Sequence, residues 1–375
     1  MKTSTFMKPK LVIILFMTLL SFSGLQGKNN PQPALHTPDN KDIQYTGRID
    51  FSNSKKPRLV GAGAYFELKF KGTSCTILLE DQHIDNKYNY IAIAIDEKYQ
   101  GRIKVSFNQT RYEIAKNLKD TVHTLLVCKA TEAMIGYLDF AGIECDEILP
   151  LGKSYQRKIE FIGNSITGGT GLDASEIPCG FGEWHDQHNA YLAYGPLTAR
   201  ALNANWLLSS VSGMGMCRNW NSEGPTMPEV YEHTYLDKNS SLLWDAKTYI
   251  PDLISISLGT NDFSDGDGSY NRKELDSARF VNAYIGFVKQ IRARYADAQI
   301  CLLTSPVFSG DKERKIFNYL TAVKQHLEAV EHDNKIHLFT FSKAYSSGCT
   351  GHPNREEHQK MADELLPFYK RVMGW

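Results

Sequence analysis

Phe161-Ile162-Gly163-Asn164-Ser165-Ile166-Thr167-Gly168-Gly169 is the stretch on which the reading of the chain turns. The residues leading into it, from Arg157, end on the β-favouring pair Phe161-Ile162 and predict a buried strand. Gly163 permits a sharp turn, and the small residues from Ser165 to Gly169 let another backbone or a ligand come close. Open α/β sheets place their chemistry at the carboxyl ends of parallel strands, and Ser165 falls at such an end. A serine there needs a base to become a nucleophile and amide donors to hold the oxyanion it creates. An ordinary Gly-Asn-Ser turn is the alternative, so the rest of the chain has to decide.

Downstream, strands and helices alternate. Buried strands are predicted at 159–162, 206–211, 253–257, 299–304 and 335–341. Phe280, Tyr284, Phe287, Val288 and Ile291 recur at near-helical spacing, as do Ile316, Leu320, Val323, Leu327 and Val330. A last helix over 355–372 buries Met361, Leu365 and Phe368. The alternation predicts a parallel sheet of about five strands with helices on both faces.

In such a sheet the loops after the strands gather at one edge. They carry Ser165, then Ser212-Gly213-Met214-Gly215-Met216, then Leu258-Gly259-Thr260-Asn261-Asp262, and finally Gly348-Cys349-Thr350-Gly351-His352-Pro353-Asn354. A hydroxyl, a glycine amide, a carboxamide and an imidazole converge from separate loops, and these are the parts of acyl transfer through serine. His352 would take the Ser165 proton, while the N–H groups of Ser165 and Gly213 and the Asn261 side chain would hold the oxyanion. Each has a plainer reading, Gly213 as a strand end, Asn261 as a turn cap and His352 as a loop histidine. Their joint order at strand ends favours the chemical one.

Ahead of this region, residues 43–150 read as short strands (45–51, 64–70, 74–79, 88–95, 102–107 and 121–129) between Gly, Asn, Asp and Lys clusters. With no convincing helix, they predict an all-β sandwich of jelly-roll type. A boundary near 149–155 separates it from a second domain running to residue 375. Residues 1–27 have the three parts of an export signal: Lys2, Lys8 and Lys10, an apolar run from Leu11 to Leu20, then small residues to Gly27. No cysteine follows to anchor a lipid, and no later segment is apolar enough for a membrane helix. Residues 28–42, with Pro31, Pro33 and Pro38, read as a flexible leader, and the protein is expected to be secreted or periplasmic.

With 42% hydrophobic residues the 375-residue chain can bury a large core, and a formal net charge of +0 disfavours nucleic acid or an anionic membrane as partner. Seven cysteines, odd in number, scattered and without a CxxC pair, argue against a disulfide framework or zinc site. One or two bridges remain open after export. An insert over 173–189 carries Phe181, Trp184, His185 and His188; with Trp220 these are candidate sugar-stacking walls, or they pack the loop onto the domain. The spacing of His185, Asp186 and His188 fits no helical metal-ligand pair.

Gly163-Asn164-Ser165, Gly213, Gly259-Thr260-Asn261-Asp262 and His352-Pro353 resemble the four blocks of the SGNH (GDSL-type) hydrolases, with Asn164 where Asp is usual. More narrowly, the chain over about 43–375 resembles carbohydrate esterase family 2, in which a jelly roll precedes a three-layer α/β/α SGNH domain. Residues 193–202 and Met227-Pro228-Glu229 resemble that family's linker between blocks. The resemblance implies removal of O-acetyl groups from acetylated plant polysaccharide, xylan or glucomannan, with no metal or other cofactor. Where many SGNH enzymes carry an aspartate three residues before the histidine, this chain has Cys349. A Ser165–His352 dyad with a backbone carbonyl orienting the imidazole is therefore expected. Asp262 is kept as a distant carboxylate or substrate contact, and Trp184 and Trp220 as substrate contacts. Glu356 and Glu357 are assigned to the start of the last helix. The rivals are a general SGNH esterase on small acyl esters or lipids, a weakly catalytic carbohydrate-binding protein, and an adhesion role for the sandwich. The acetyl position and oligomeric state stay open.

Overall fold

A computed structural model describes residues 1–4, 33–152 and 155–375. Most of the expected export signal, and residues 28–32 of the expected leader, lie outside the described residues. The rest of that leader is ordered. Ala34–His36 forms an edge strand against Gly136–Cys145, and the Tyr45 hydroxyl donates to the Pro38 carbonyl at 2.8 Å. Proline tolerates this because Pro33 precedes an edge strand and no ladder bond is asked of it.

Two six-stranded antiparallel sheets form the N-terminal jelly-roll sandwich. The predicted strand over 45–51 is two pieces, Gln44–Thr46 and Ile49–Asp50. Gly47 breaks it at φ +121°, where a Cβ would lie 2.5 Å from the Ala64 Cα. The ten-residue strand Gly136–Cys145, central to its sheet, is not predicted by the residue pattern. Glycines at 136 and 142 and Asp139 hide it, and a bulge shifts the register between Phe140 and Gly142. Asp139 is held by Arg58 at 2.6 and 2.9 Å. Other strands outside the predicted set, Arg58–Leu59, Arg111–Ala115 and Glu147–Leu149, are short.

Strand Asn89–Ile95 is buried along its whole length, and its period of two sorts its side chains. Ile91, Ile93 and Ile95 fill the space between the two sheets, with Phe66 stacked on Phe140 at 4.1 Å. Tyr90, Ala92 and Ala94 point the other way and join a core shared with Phe161, Tyr191 and Trp206 of the α/β layers. Ala92 and Ala94 are small enough to let that neighbour approach. Tyr65 stacks on Trp206 with ring centroids 4.2 Å apart.

The parallel sheet, numbered by itself, comprises β1 (Lys158–Gly163), β2 (Asn205–Ser210), β3 (Leu253–Ser257), β4 (Gln299–Leu303) and β5 (Ile336–Phe339) in the order β2-β1-β3-β4-β5. Besides a single turn at Met227–Val230, its helices are α1 (Ser165–Gly168), α2 (Tyr194–Ala201), α3 (Ser277–Arg294), α4 (Gly310–Ala329) and α5 (Arg355–Met373). Alternation again divides the faces. Phe161, Leu208 and Cys301 pack with α2 and α5, whereas Ile162, Ile254, Ile256 and Leu302 pack with α3 and α4. The result is three layers. From β1 the chain goes to one side for β2 and to the other for β3, so the crevice opens beside the end of β1. Among the described residues no helix is long and apolar enough to cross a membrane.

Candidate active site

At the end of β1 a side chain on residue 163 would meet the Thr167 hydroxyl at 2.0 Å, so only glycine fits. Asn164 then caps the single turn of α1, its side chain accepting the Ile166 N–H at 3.2 Å, and Gly169 closes the turn at φ +76°. Ser165 is thereby the first residue of a helical turn over the crevice. β1 is in register with both neighbours, Gly163 opposite Ser210 and opposite Ser257. Gly213 and Asn261 thus follow the adjacent strands on either side of Ser165.

His352 arrives on the loop into α5, and that loop is fixed from several directions. Asn354 and Glu357 form a capping box, and Glu357 also accepts from the Ser347 N–H and hydroxyl at 2.8 Å each. Cys349 donates its N–H to the Gly171 carbonyl at 2.9 Å and is disulfide-bonded to Cys179, with Cα atoms 5.1 Å apart. Gly171 must be glycine here, since at φ +70° a Cβ would lie 2.6 Å from the Cys349 carbonyl oxygen. This is one bridge of the one or two left open, with the other five cysteines free, and its pairing could not be read along the chain: positions 170 residues apart meet only once β1 and α5 are packed. The bridge gives Cys349 a tethering role between the 173–189 insert and the histidine loop.

The Nε2 of His352 lies 2.8 Å from the Ser165 Oγ. Its Nδ1 lies 3.0 Å from the Thr350 hydroxyl, which donates to the Cys349 carbonyl at 2.7 Å. Among the described residues no carboxylate is hydrogen-bonded to the imidazole. Thr350 is β-branched yet sits at φ +55°, a conformation costing about 1–3 kcal/mol that such loops carry at functional sites. Sequence reasoning missed Thr350, because a hydroxyl two residues before the histidine gains meaning only in that bent backbone.

Burial holds the His352 imidazole below the ordinary histidine range, against an upward pull from bonds to the backbone carbonyls of Cys349 and Thr350. Its neighbours do not compete, since burial pushes His358 down to about 3 and His188 well below the usual value. A general base must be neutral. Because the folded-state value is depressed, neutral imidazole persists to more acidic pH than in a free histidine. The acid limb of kcat/KM on an aryl acetate is therefore expected below about pH 6.5. A limb at or above about pH 7 would contradict this.

Asn261 is buried, and its side-chain amide donates to the Met214 carbonyl at 2.7 Å, which leaves its second N–H available. Gly213 adopts φ +77°, and no hydrogen bond among the described residues uses its N–H. Asp262 is not a substrate contact, nor does it reach His352. Fully buried, its carboxylate accepts the N–H groups of Met216, Cys217 and Arg218 at 2.8, 2.7 and 3.1 Å, strapping the loop after β2. Gly215 under that strap leaves no room for a side chain, with the Arg218 carbonyl oxygen 2.0 Å from a Cβ.

Trp220 is 42% exposed and lines a groove of about 440 Å³ together with Ser212, Gly213 and Met214 and, from the sandwich, Met134 and Tyr137. Trp184 does not line that groove. It sits on the insert at 39% exposure with its ring 4.3 Å from His188, edge on. Asp186 beside it is occupied by the Tyr88 and Tyr90 hydroxyls at 2.9 and 2.8 Å. Among the described residues no group of three or more His, Cys, Asp or Glu is placed to hold a metal ion.

Residues 45–151 match the family model for the carbohydrate esterase 2 N-terminal domain, and residues 161–364 match that of the GDSL-like lipase/acylhydrolase family. The chain is 30% identical over 345 residues to the cellulase/esterase CelE of Acetivibrio thermocellus, covering 90% of this chain but only 40% of that protein. It is 28% identical to an acetylxylan esterase/glucomannan deacetylase of Cellvibrio japonicus, covering 94% of this chain and 96% of the relative. A solved family two carbohydrate esterase from Clostridium thermocellum, in complex with cellohexaose, superimposes with a TM-score of 0.80 at 30% identity, over 89% of this chain and 99% of that one. Jelly roll, parallel sheet and both family matches run together along one chain, which therefore belongs to carbohydrate esterase family 2, its hydrolase layers of the SGNH type.

Proposed function

We propose that the protein is an exported serine esterase that removes O-acetyl groups from plant cell-wall polysaccharide, xylan or glucomannan. The observation that carries this is the 2.8 Å contact between the Ser165 Oγ and the His352 Nε2 at the crevice of the sheet. As Oγ attacks the acetyl carbonyl carbon, Nε2 takes its proton and the carbonyl π electrons move onto oxygen. The N–H groups of Ser165 and Gly213 and the Asn261 amide hold that oxyanion, each donor contributing about 10²–10³ in turnover. Collapse breaks the bond to the sugar oxygen, which takes the proton from His352. Water, deprotonated by the same imidazole, then attacks the acetyl-serine; collapse breaks the bond between the acyl carbon and Oγ, which takes the proton back from His352, releasing acetate and free Ser165. The Thr350 hydroxyl and the nearby carbonyls accept the Nδ1–H, so the Nε2 lone pair faces Ser165. The scheme draws on no metal or cofactor.

A polysaccharide substrate is supported by the activity for which the Cellvibrio relatives are named and by the cellohexaose bound to the Clostridium protein. The open groove carrying Trp220 beside Gly213 supports it too. Export is supported by the pattern of residues 1–27 and by the Cys179–Cys349 bridge, which belongs to oxidising compartments. One observation favours a second reading: among the described residues His352 has no carboxylate partner, which suits a carbohydrate-binding protein with weak catalysis. Acetate release from acetylated xylan, acetylated glucomannan and an aryl acetate separates the readings. The proposal expects faster release from a polysaccharide. Release from the aryl acetate alone would make this a general esterase, and polysaccharide binding without release from any substrate would make it a binding protein.

A further inference from the structure

We propose that Glu132, a residue of the sandwich, is a positioning residue for the oxyanion hole, so that the N-terminal domain completes the catalytic machinery of the C-terminal one. The inference rests on the esterase reading above. Glu132 is buried in the connection between the sandwich strands Thr121–Lys129 and Gly136–Cys145, and its Oε2 accepts the backbone N–H of Ser212 at 2.7 Å. Ser212 immediately precedes Gly213. That glycine is clamped on every side: its carbonyl accepts from the Trp220 N–H at 2.8 Å, the Met214 N–H donates to the Val211 carbonyl at 3.3 Å, and Asn261 holds the Met214 carbonyl. With φ at +77° the Gly213 N–H is aimed by whatever holds the peptides around it, and Glu132 holds the one before it.

The influence of Glu132 extends to the nucleophile as well. The Ser212 and Thr170 hydroxyls lie 3.2 Å apart, and the Thr170 N–H donates to the Ser165 carbonyl at 2.9 Å. Glu132 is itself anchored, since the buried Lys129 ammonium donates to the Thr131 and Glu132 carbonyls at 2.8 and 3.0 Å. A tie serving only to join two domains would not need a carboxylate, whose burial is expensive, and Oε1 has no partner among the described residues. An acceptor fixed in place on the Ser212 N–H suits a peptide that must not rotate while charge develops beside it.

The test measures kcat, KM and thermal midpoint for the full chain with E132A, E132Q and E132D beside wild type and S165A. The substrate is an aryl acetate, and affinity for an aryl boronic acid, whose serine adduct places an oxygen in the hole, is read in parallel. Glutamine keeps an oxygen for the Ser212 N–H and should retain kcat within about fivefold. Alanine should lose about 10- to 100-fold in kcat with KM within about threefold, and boronate affinity should weaken by a similar factor. Aspartate, with its oxygen drawn back by one methylene, should fall between them while staying folded, which keeps the test decisive if alanine does not fold. Unchanged kcat in the alanine or aspartate variant would overturn the assignment. So would equal losses in alanine and glutamine, or a fall in midpoint with kcat and boronate affinity intact. Wild-type turnover in S165A would instead overturn the esterase reading, and this assignment with it.

Discussion

Ser165→Ala lowers turnover on acetate esters by about 10⁴-fold or more and leaves the fold intact, because the hydroxyl is the atom that forms and releases the acyl bond. The residue caps nothing: Asn164 caps α1, and the folded state gives up only the 2.8 Å hydrogen bond between the serine hydroxyl and His352. Removing one surface-facing hydroxyl bond costs about 1 kcal/mol of stability, so the thermal midpoint should barely move. Whatever turnover survives measures the oxyanion donors and binding alone. The same logic applies to His352→Ala, and the two losses should not add, since neither residue works without the other. Turnover of Ser165→Ala within about tenfold of wild type would show that the nucleophile lies elsewhere.

Arg48→Ala is the second large effect, and it falls on stability. Arg48 reaches from the sandwich into the α/β layers and is fully buried. Its guanidinium donates to the Ser209 hydroxyl at 3.2 and 2.9 Å and to the carbonyls of Tyr231 and His233 at 3.0 and 3.1 Å. Glu160, on β1, accepts from Ser209 and from the Tyr231 hydroxyl at 2.6 and 2.8 Å and lies 3.7 Å from the guanidinium. Truncation leaves Glu160 as a buried charge without its countercharge, a loss of about 3–5 kcal/mol. For a chain of this size that lowers the melting point by roughly 4–6 °C. A double variant, Arg48→Met with Glu160→Leu, removes both charges and should recover most of the loss. Calorimetry on the three proteins tests this, and a single-variant loss under about 1 kcal/mol would contradict it.

Asp262 shows what a motif conveys and what it withholds. Its place in Gly259-Thr260-Asn261-Asp262 marks the loop after β3 as one that lies beside Ser165, and β3 does pair with β1. Its own task, accepting three backbone N–H groups from the loop after β2, is invisible until the two loops are side by side. Cys349 is similar. Read along the chain it is a missing carboxylate, whereas in space it is half of a bridge whose carbonyl takes the proton-side bond of Thr350.

Legible along the chain alone is what repeats or what chemistry demands. The inner parallel strands are largely apolar runs buried on both faces, and the strand positions could be read to within a residue or two. Ser165 and His352 are residue types whose order at strand ends has a chemical reading. Packing settles what depends on contacts between distant segments. Tyr90, Ala92 and Ala94 look like any half-buried strand face, and only the fold makes them a floor for the hydrolase layers. Gly136–Cys145 is held as a strand by partners at Cys75–His83 despite glycines that argue locally against it. Glu132, Thr350 and Arg48 acquire their roles from atoms tens to more than a hundred residues away or from a backbone bent against its own preference. A hydrogen bond across such distances leaves no periodic trace in the sequence, because its geometry is set by the fold and not by the neighbours along the chain.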